Sequence, residues 1–225
     1  MNPSIVQAAT KMTLLGNGSV ESRILKKALK IAPLLVAVDG GVNAAIDQGI
    51  TPDWVIGDMD SATPGALDRM PPGRVITVRE QETTDFEKAL IRFQADLIFA
   101  VGFTGARMDH QLAVLSTLVK YPGQRVLLLS DEEVTFLAPL RIELDLPPAT
   151  RLSLFPMGPC TGRSTGLKWP IDGIAFAPGG QIGTSNETTK GRVALEFDNR
   201  HMLVILENRH LDEVARALTL SSSEH

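Results

Sequence analysis

The chain has 225 residues, 44% of them hydrophobic, and a net charge of −4, enough to bury a sizeable core in one large domain or two small ones. Basic residues are dispersed and aromatics are only 5%, which argues against a nucleic-acid partner. The lone Cys160 excludes an internal disulfide and a Cys-rich zinc site; no apolar run reaches membrane-spanning length and residues 1–11 lack an apolar signal core, so no membrane partner and a cytoplasmic location are expected.

Met12–Leu15 reads as a short strand, and Gly16-Asn17-Gly18-Ser19 turns it into a helix over Val20–Ile31. Ser19 is the expected cap, with Ser22 as the alternative. Such a turn exposes backbone N–H groups that attract phosphate, although any tight turn would use the same glycines.

The chain is organised around residues 36–61. Two apolar runs, Leu34–Val38 and Trp54–Ile56, each deliver an acidic loop: Asp39-Gly40-Gly41 and Gly57-Asp58-Met59-Asp60-Ser61. Between them Asn43–Gln48 reads as a helix, with Gly49 where a C-cap would sit. Polar groups at the C-terminal ends of parallel strands lie where open sheets bind ligands. Asp58 and Asp60, two apart, turn to one side of an extended segment. Paired carboxylates suit a hard cation such as Mg²⁺, which completes its shell with water and substrate phosphates.

Pro64–Arg69 is an expected short helix and Arg74–Val78 a strand. Glu80–Asp85 then opens a helix running to Phe93, capped by Thr83 or Thr84, with Asp85 in its first turn. Lys88 shares a helix face with Asp85 and either neutralises it or meets a phosphate oxygen. Asp96–Val101 is the next strand. It feeds Gly102–His110 and a helix over Met108–Lys120. Arg107 offers a planar fork for phosphate oxygens; Asp109 could cap the helix, orient Arg107 or hold a metal-bound water. Val126–Ser130 closes this part.

Alternation of strand and helix up to about residue 130 predicts a mostly parallel α/β sheet. Acidic positions following successive strands point to a Mg²⁺–nucleotide site. Beyond a boundary near 130–133, the runs Val134–Leu137, Arg141–Leu144, Arg151–Phe155, Arg192–Phe197 and Met202–Leu206 predict a small antiparallel sandwich or barrel. Leu211–Leu218 adds a helical turn or two, and the SSSEH end is expected to fray. Thr165-Gly166-Leu167-Lys168-Trp169 sets an indole beside a glycine turn, and Gly183-Thr184-Ser185-Asn186-Glu187 reads as a small polar loop. Read alone, Trp169 is expected in the core rather than as a ligand platform, although an exposed indole face would suit a flat or cationic heterocycle.

Val38–Gly41, Gly57–Ser61, Thr84–Leu90, Gly105–His110, Thr165–Trp169 and Thr184–Asn186, in that order, resemble the thiamine pyrophosphokinase (thiamine diphosphokinase) family. The resemblance implies an α/β ATP-binding catalytic domain over 1–131 and a C-terminal antiparallel β-sandwich, thiamine-binding, over 132–225. It also implies a homodimer with active sites between subunits. The implied reaction converts ATP and thiamine to thiamine diphosphate and AMP. Carried over by residue, Asp58, Asp60 and Asp85 match Mg²⁺ ligands; Asn17, Asp39, Gly40, Lys88, Arg107 and Asp109 fall around ATP; and Gln81, Thr165, Trp169, Ser185 and Asn186 meet thiamine. Asp60, Asp85, Arg107 and Asp109 form the implied catalytic set, with Asp60 or Asp85 taking the hydroxyl proton. Gly105-Ala106 departs from the family's Gly-Gly, and Phe103 follows Gly102. A pterin-alcohol pyrophosphokinase and a non-catalytic thiamine- or nucleotide-binding module are the alternatives.

Overall fold

Glycine-bearing turns between apolar runs set the rhythm of the first half of the chain. The computed structural model describes residues 6–19, 21–105 and 107–221. It divides into two compact units, residues 1–117 with 128–131 and residues 118–127 with 132–225.

The first unit begins β1 (Gln7–Leu15), α1 (Ser22–Ile31), β2 (Leu34–Val38), α2 (Gly41–Asp47) and β3 (Trp54–Gly57). It continues α3 (Pro64–Leu67), β4 (Val75–Thr77), α4 (Asp85–Arg92) and β5 (Phe93–Val101). Residues of α5 (Met108–Lys120) and β6 (Val126–Leu129) are divided between the units. The order β5-β1-β2-β3-β4 is parallel throughout. Leu15 pairs with both Ala37 and Val101, Val38 with Ile56, and Gly57 with Thr77. These registers bring the C-terminal strand ends level, so the loops after β1 to β5 emerge from one edge. Leu14, Val36, Val55 and Ile98 are fully buried in the sheet, and Leu25, Ala28, Val42, Ala45 and Ala89 bury the helix faces against it.

The local signals are met with three corrections. Ser19 does not cap α1. The N-cap is Glu21, whose N–H is taken by the Asp131 carboxylate at 2.8 Å, and Ser22 is already helical. That helix's expected start at Val20, like Ala106 and the 222–225 end, lies outside the described residues. Helix α2 starts at Gly41, two residues early, while Gly49 takes the expected left-handed conformation after it. Strand β5 starts at Phe93 rather than Asp96, directly after α4, because pairing with β1 reaches back to Gln7. Thr84 caps α4, accepting the Glu87 N–H at 3.2 Å.

The second unit contains β7 (Glu133–Leu137), β8 (Arg141–Asp145), β9 (Arg151–Pro156), β10 (Gly162–Thr165), β11 (Gly183–Glu187), β12 (Arg192–Phe197), β13 (Met202–Glu207) and α6 (Leu211–Leu220). Two antiparallel sets form, β7-β13-β9-β11 and β8-β12-β10. The mostly parallel α/β sheet followed by antiparallel sheets is the expected fold class. Gly183–Glu187, expected as a loop, is strand β11. It pairs with β9 through an irregularity between Gly183 and Asn186, and that irregularity breaks any alternation a sequence could display. Helix α6 runs ten residues, longer than the expected turn or two, because Leu211, Val214, Ala217 and Leu218 bury a continuous stripe.

Candidate active site

The level strand ends surround a cleft of about 650 Å³ in the first unit. Its lining comes from the loop after each strand: Asn17, Asp39, Asp58 with Asp60, Gln81 to Asp85, and Phe103, Thr104 and Arg107.

Asp39, Asp58 and Asp60 converge, offering carboxylate oxygens that all lie within 4.8 Å of one another. Two local features make this possible. Asp39 adopts a left-handed conformation (φ 47°) at the end of β2, where a short polar side chain is tolerated. Gly57 lets the neighbouring strand end approach, since a Cβ there would fall 2.8 Å from the Asp39 Cβ. Asn43, at the start of α2, then fastens the far end of the acidic loop. Its Nδ2 donates to the Ser61 carbonyl at 2.8 Å, and its Oδ1 accepts from the Thr63 N–H and hydroxyl, each at 2.9 Å.

Asp58 is held below the usual carboxylate range, first by the Gln81 side-chain amide, which donates to it at 3.0 Å, and then by the Asp60 N–H. Ser61 Oγ donates to Asp60 at 2.9 Å. Three clustered oxygen donors of this kind fit a hard divalent cation.

Asp85 lines the same cleft but is not part of the tight group. Lys88 Nζ, only 1% exposed, donates to Asp85 at 3.0 Å. Burial nonetheless pushes the Asp85 carboxyl up, with Lys88 opposing and Asp58 and Asp39 adding to the rise. Glu80 braces the preceding loop by accepting from the Glu82 and Thr83 N–H groups and the Thr83 hydroxyl. Arg107 also lines the cleft. It forms a fork on Asp109 at 3.1 and 2.6 Å, and both are 65% exposed; the guanidinium holds Asp109 below the usual carboxylate range.

Of the residues assigned to ATP, Asn17, Asp39, Lys88 and Arg107 line the cleft. Gly40 is instead the N-cap of α2, and Asp109 touches Arg107 rather than the lining. Gln81, assigned to thiamine, stands on Asp58. The sequence reading gave no role to Phe86, Phe103 or Val114, which supply an apolar part of the lining; the available signal was the position of Phe103 in the loop two residues beyond β5.

In the second unit, Thr165, Trp169, Ser185 and Asn186 are arranged around β10 and β11. Asn186 is buried and closes a ring of bonds with the Trp169 backbone: Nδ2 donates to the Trp169 carbonyl at 2.7 Å, and Oδ1 accepts its N–H at 3.2 Å. The indole is left 54% exposed, with Lys168 Nζ 4.8 Å from the ring centroid on one face. Ser185 is left-handed (φ 59°) and donates its N–H to Ser153 Oγ at 2.9 Å. Thr165 ends β10 opposite Ala194.

A family model for the thiamin pyrophosphokinase catalytic domain matches residues 25–128, and one for the thiamin pyrophosphokinase vitamin B1 binding domain matches residues 140–202. Thiamine pyrophosphokinase 3 of Oryza sativa subsp. japonica is 30% identical over 190 residues, covering 69% of this chain and 71% of that protein. Thiamine pyrophosphokinase of Bacillus subtilis (strain 168) is 26% identical over 184 residues, covering 76% and 86%. Among solved structures, thiamin pyrophosphokinase from Candida albicans shares the fold with a TM-score of 0.74 at 16% identity, over 91% of this chain and 94% of that one. Fold and matches together define a transferase of the kinase type. The chain belongs to the thiamine pyrophosphokinase family.

Proposed function

We propose that this protein transfers the pyrophosphoryl group of ATP to the hydroxyl of thiamine, giving thiamine diphosphate and AMP, in a Mg²⁺-dependent reaction. The observation that carries the reading is the convergence of Asp39, Asp58 and Asp60 in one cleft of a chain that belongs to this family. The reading divides the chain into a catalytic domain over 1–131 and a thiamine-binding domain over 132–225. It includes a homodimer with active sites between subunits and a cytoplasmic location. Among the described residues no helix is long and apolar enough to cross a membrane.

Asp39, Asp58 and Asp60 would hold the cation, with Asp85 beside them. Bound Mg²⁺ supplies charge neutralisation on the polyphosphate oxygens. Such transfers need positioning and charge compensation more than covalent help from the protein. Gln81 keeps Asp58 ionised and aimed. Arg107, oriented by Asp109, presents a fork of donors to the polyphosphate. The thiamine hydroxyl oxygen attacks the β-phosphorus, the bond from that phosphorus to the α–β bridging oxygen breaks, and AMP leaves with the oxygen. Asp85, which lines the cleft beside the tight acidic group rather than within it, takes the hydroxyl proton. In the second unit the open face of Trp169 packs on the cationic heterocycle, with Thr165, Ser185 and Asn186 around it.

The test is incubation with Mg²⁺, ATP and thiamine, followed by analysis of products. AMP with thiamine diphosphate is expected. ADP with thiamine monophosphate would replace pyrophosphoryl transfer by single phosphoryl transfer. Binding of both ligands with no AMP released would leave a non-catalytic module.

A further inference from the structure

The cleft of the first unit is chemically lopsided. Asp39, Asp58 and Asp60 gather in one part, while Phe103, Phe86, Ala113 and Val114 supply apolar lining. Phe103 is the half-buried member of its aromatic pair, and Phe86 behind it is only 3% exposed. The two ring centroids are 4.7 Å apart with planes tilted by 56°, a favourable geometry for an aromatic pair. The edge of the Phe103 ring stands directly over Gly16, where an added Cβ would fall 2.9 Å from Cδ1 and Cε1. Phe103 is therefore fixed from two sides before any ligand arrives, with part of its surface left to the cleft.

An aromatic surface held still in a polar cleft binds a flat ring at little ordering cost. The backbone around it belongs to the Gly16–Gly18 and Gly102–Thr104 loops, which are joined by the Gly18 N–H to the Gly102 carbonyl at 2.7 Å. A cleft of about 650 Å³ has the size typical of a small-molecule site. A ligand with a flat heterocycle at one end and a polyphosphate at the other matches this division of the lining.

We propose that Phe103, backed by Phe86 and flanked by Ala113 and Val114, is the stacking platform for the nucleobase of the pyrophosphoryl donor and sets the enzyme's preference for a nucleoside triphosphate over bare polyphosphate. The proposal rests on ATP as the donor. It makes Phe103 a specificity residue that touches the substrate away from the reacting atoms.

The experiment compares the wild type with Phe103→Ala, Phe103→Leu and Phe103→Tyr. Calorimetry gives the affinity for ATP and for inorganic tripolyphosphate, each with Mg²⁺ and without turnover; steady-state kinetics give KM for ATP and for thiamine. Removing a base-stacking aromatic costs roughly five- to a hundredfold in affinity. Phe103→Ala and Phe103→Leu are therefore expected to weaken ATP by about tenfold, with tripolyphosphate affinity and the thiamine KM unchanged and Phe103→Tyr restoring ATP. Phe103→Leu keeps an apolar contact on Phe86, so it carries the comparison if Phe103→Ala fails to fold. An unchanged ATP affinity, a parallel loss for ATP and tripolyphosphate, or a rise confined to the thiamine KM each overturns the platform. Absence of AMP formation by the wild type would instead defeat the proposed reaction, while calorimetry still reads the platform by itself.

Discussion

The acidic cleft of the first unit and the Trp169 corner of the second use polar groups in opposite ways. Around Trp169 the bonds close on themselves: Asn186 satisfies the Trp169 backbone on both sides and Ser153 takes the Ser185 N–H. What remains open there is a ring face. In the cleft, three carboxylates within 4.8 Å of one another leave a charge imbalance. Like charges at that separation repel by roughly 1 kcal/mol in water and roughly 3 kcal/mol at an effective dielectric constant of 20. One region is finished without a ligand and offers shape; the other keeps three carboxylates crowded together and facing the cleft.

The sharpest way to break this contrast is Asp58→Asn. Turnover should fall at least about a thousandfold, measured as AMP release. Without Mg²⁺ the melting temperature should fall only slightly, because the carboxylate that Gln81 and the Asp60 N–H stabilise is gone while the fold is kept. Near-normal rates would remove Asp58 from the metal role. Chelation sharpens the same point: EDTA should abolish wild-type turnover, and Mg²⁺ should raise the wild-type melting temperature but not that of Asp58→Asn.

Next in size is Arg107→Lys, expected to lower kcat by roughly tenfold to a hundredfold, because an ammonium lacks the planar fork. Asp109→Asn should lose less, since it orients Arg107 without lining the cleft. On the other side of the contrast, Trp169→Ala should raise the thiamine KM by about tenfold and leave the ATP KM alone. A change in both would mean that the two regions are not separable.

The smallest effects lie outside both regions. Burial pushes the Glu213 carboxyl up, but the Arg216 guanidinium and the Asp145 N–H outweigh it and hold it below its ordinary 4.5. A depressed folded value stabilises above the unfolded value and is lost as pH falls through the folded one. Glu213→Gln should therefore cost about 1 kcal/mol at neutral pH, and denaturant titrations should show the difference vanishing in acid. Burial raises the Cys160 thiol to about 11, so alkylation of the native protein at pH 8 should be negligible.

Much of the first unit was legible because each of its signals is local. Apolar runs of strand length, Thr84 as a cap and Gly49 as a stop all act within a few residues. Strand β11 was not legible, because a polar segment with a register shift becomes a strand only through its neighbour's backbone. The cap of α1 was not legible either, because Asp131 supplies it from 110 positions away. In the cleft, Asp58 and Asp60 do pair as their spacing suggested, but through a turn at left-handed Met59 (φ 70°) and not through an extended segment. That Asp39 joins them depends on a left-handed backbone and the missing Cβ of Gly57, neither visible as a pattern. Asp85 stands apart from the tight group, paired with Lys88 as their i,i+3 spacing on one helix face suggests.

Asn43 carries a consequence of its own. Because its side chain rivets the acidic loop at Ser61 and Thr63, the acidic segment is braced at its far end rather than free to swing. Capture of the ion then involves little rearrangement, and its speed would be governed by how readily hydration water is shed. A residue that never meets the metal would thereby leave water exchange, and not loop rearrangement, to set that pace.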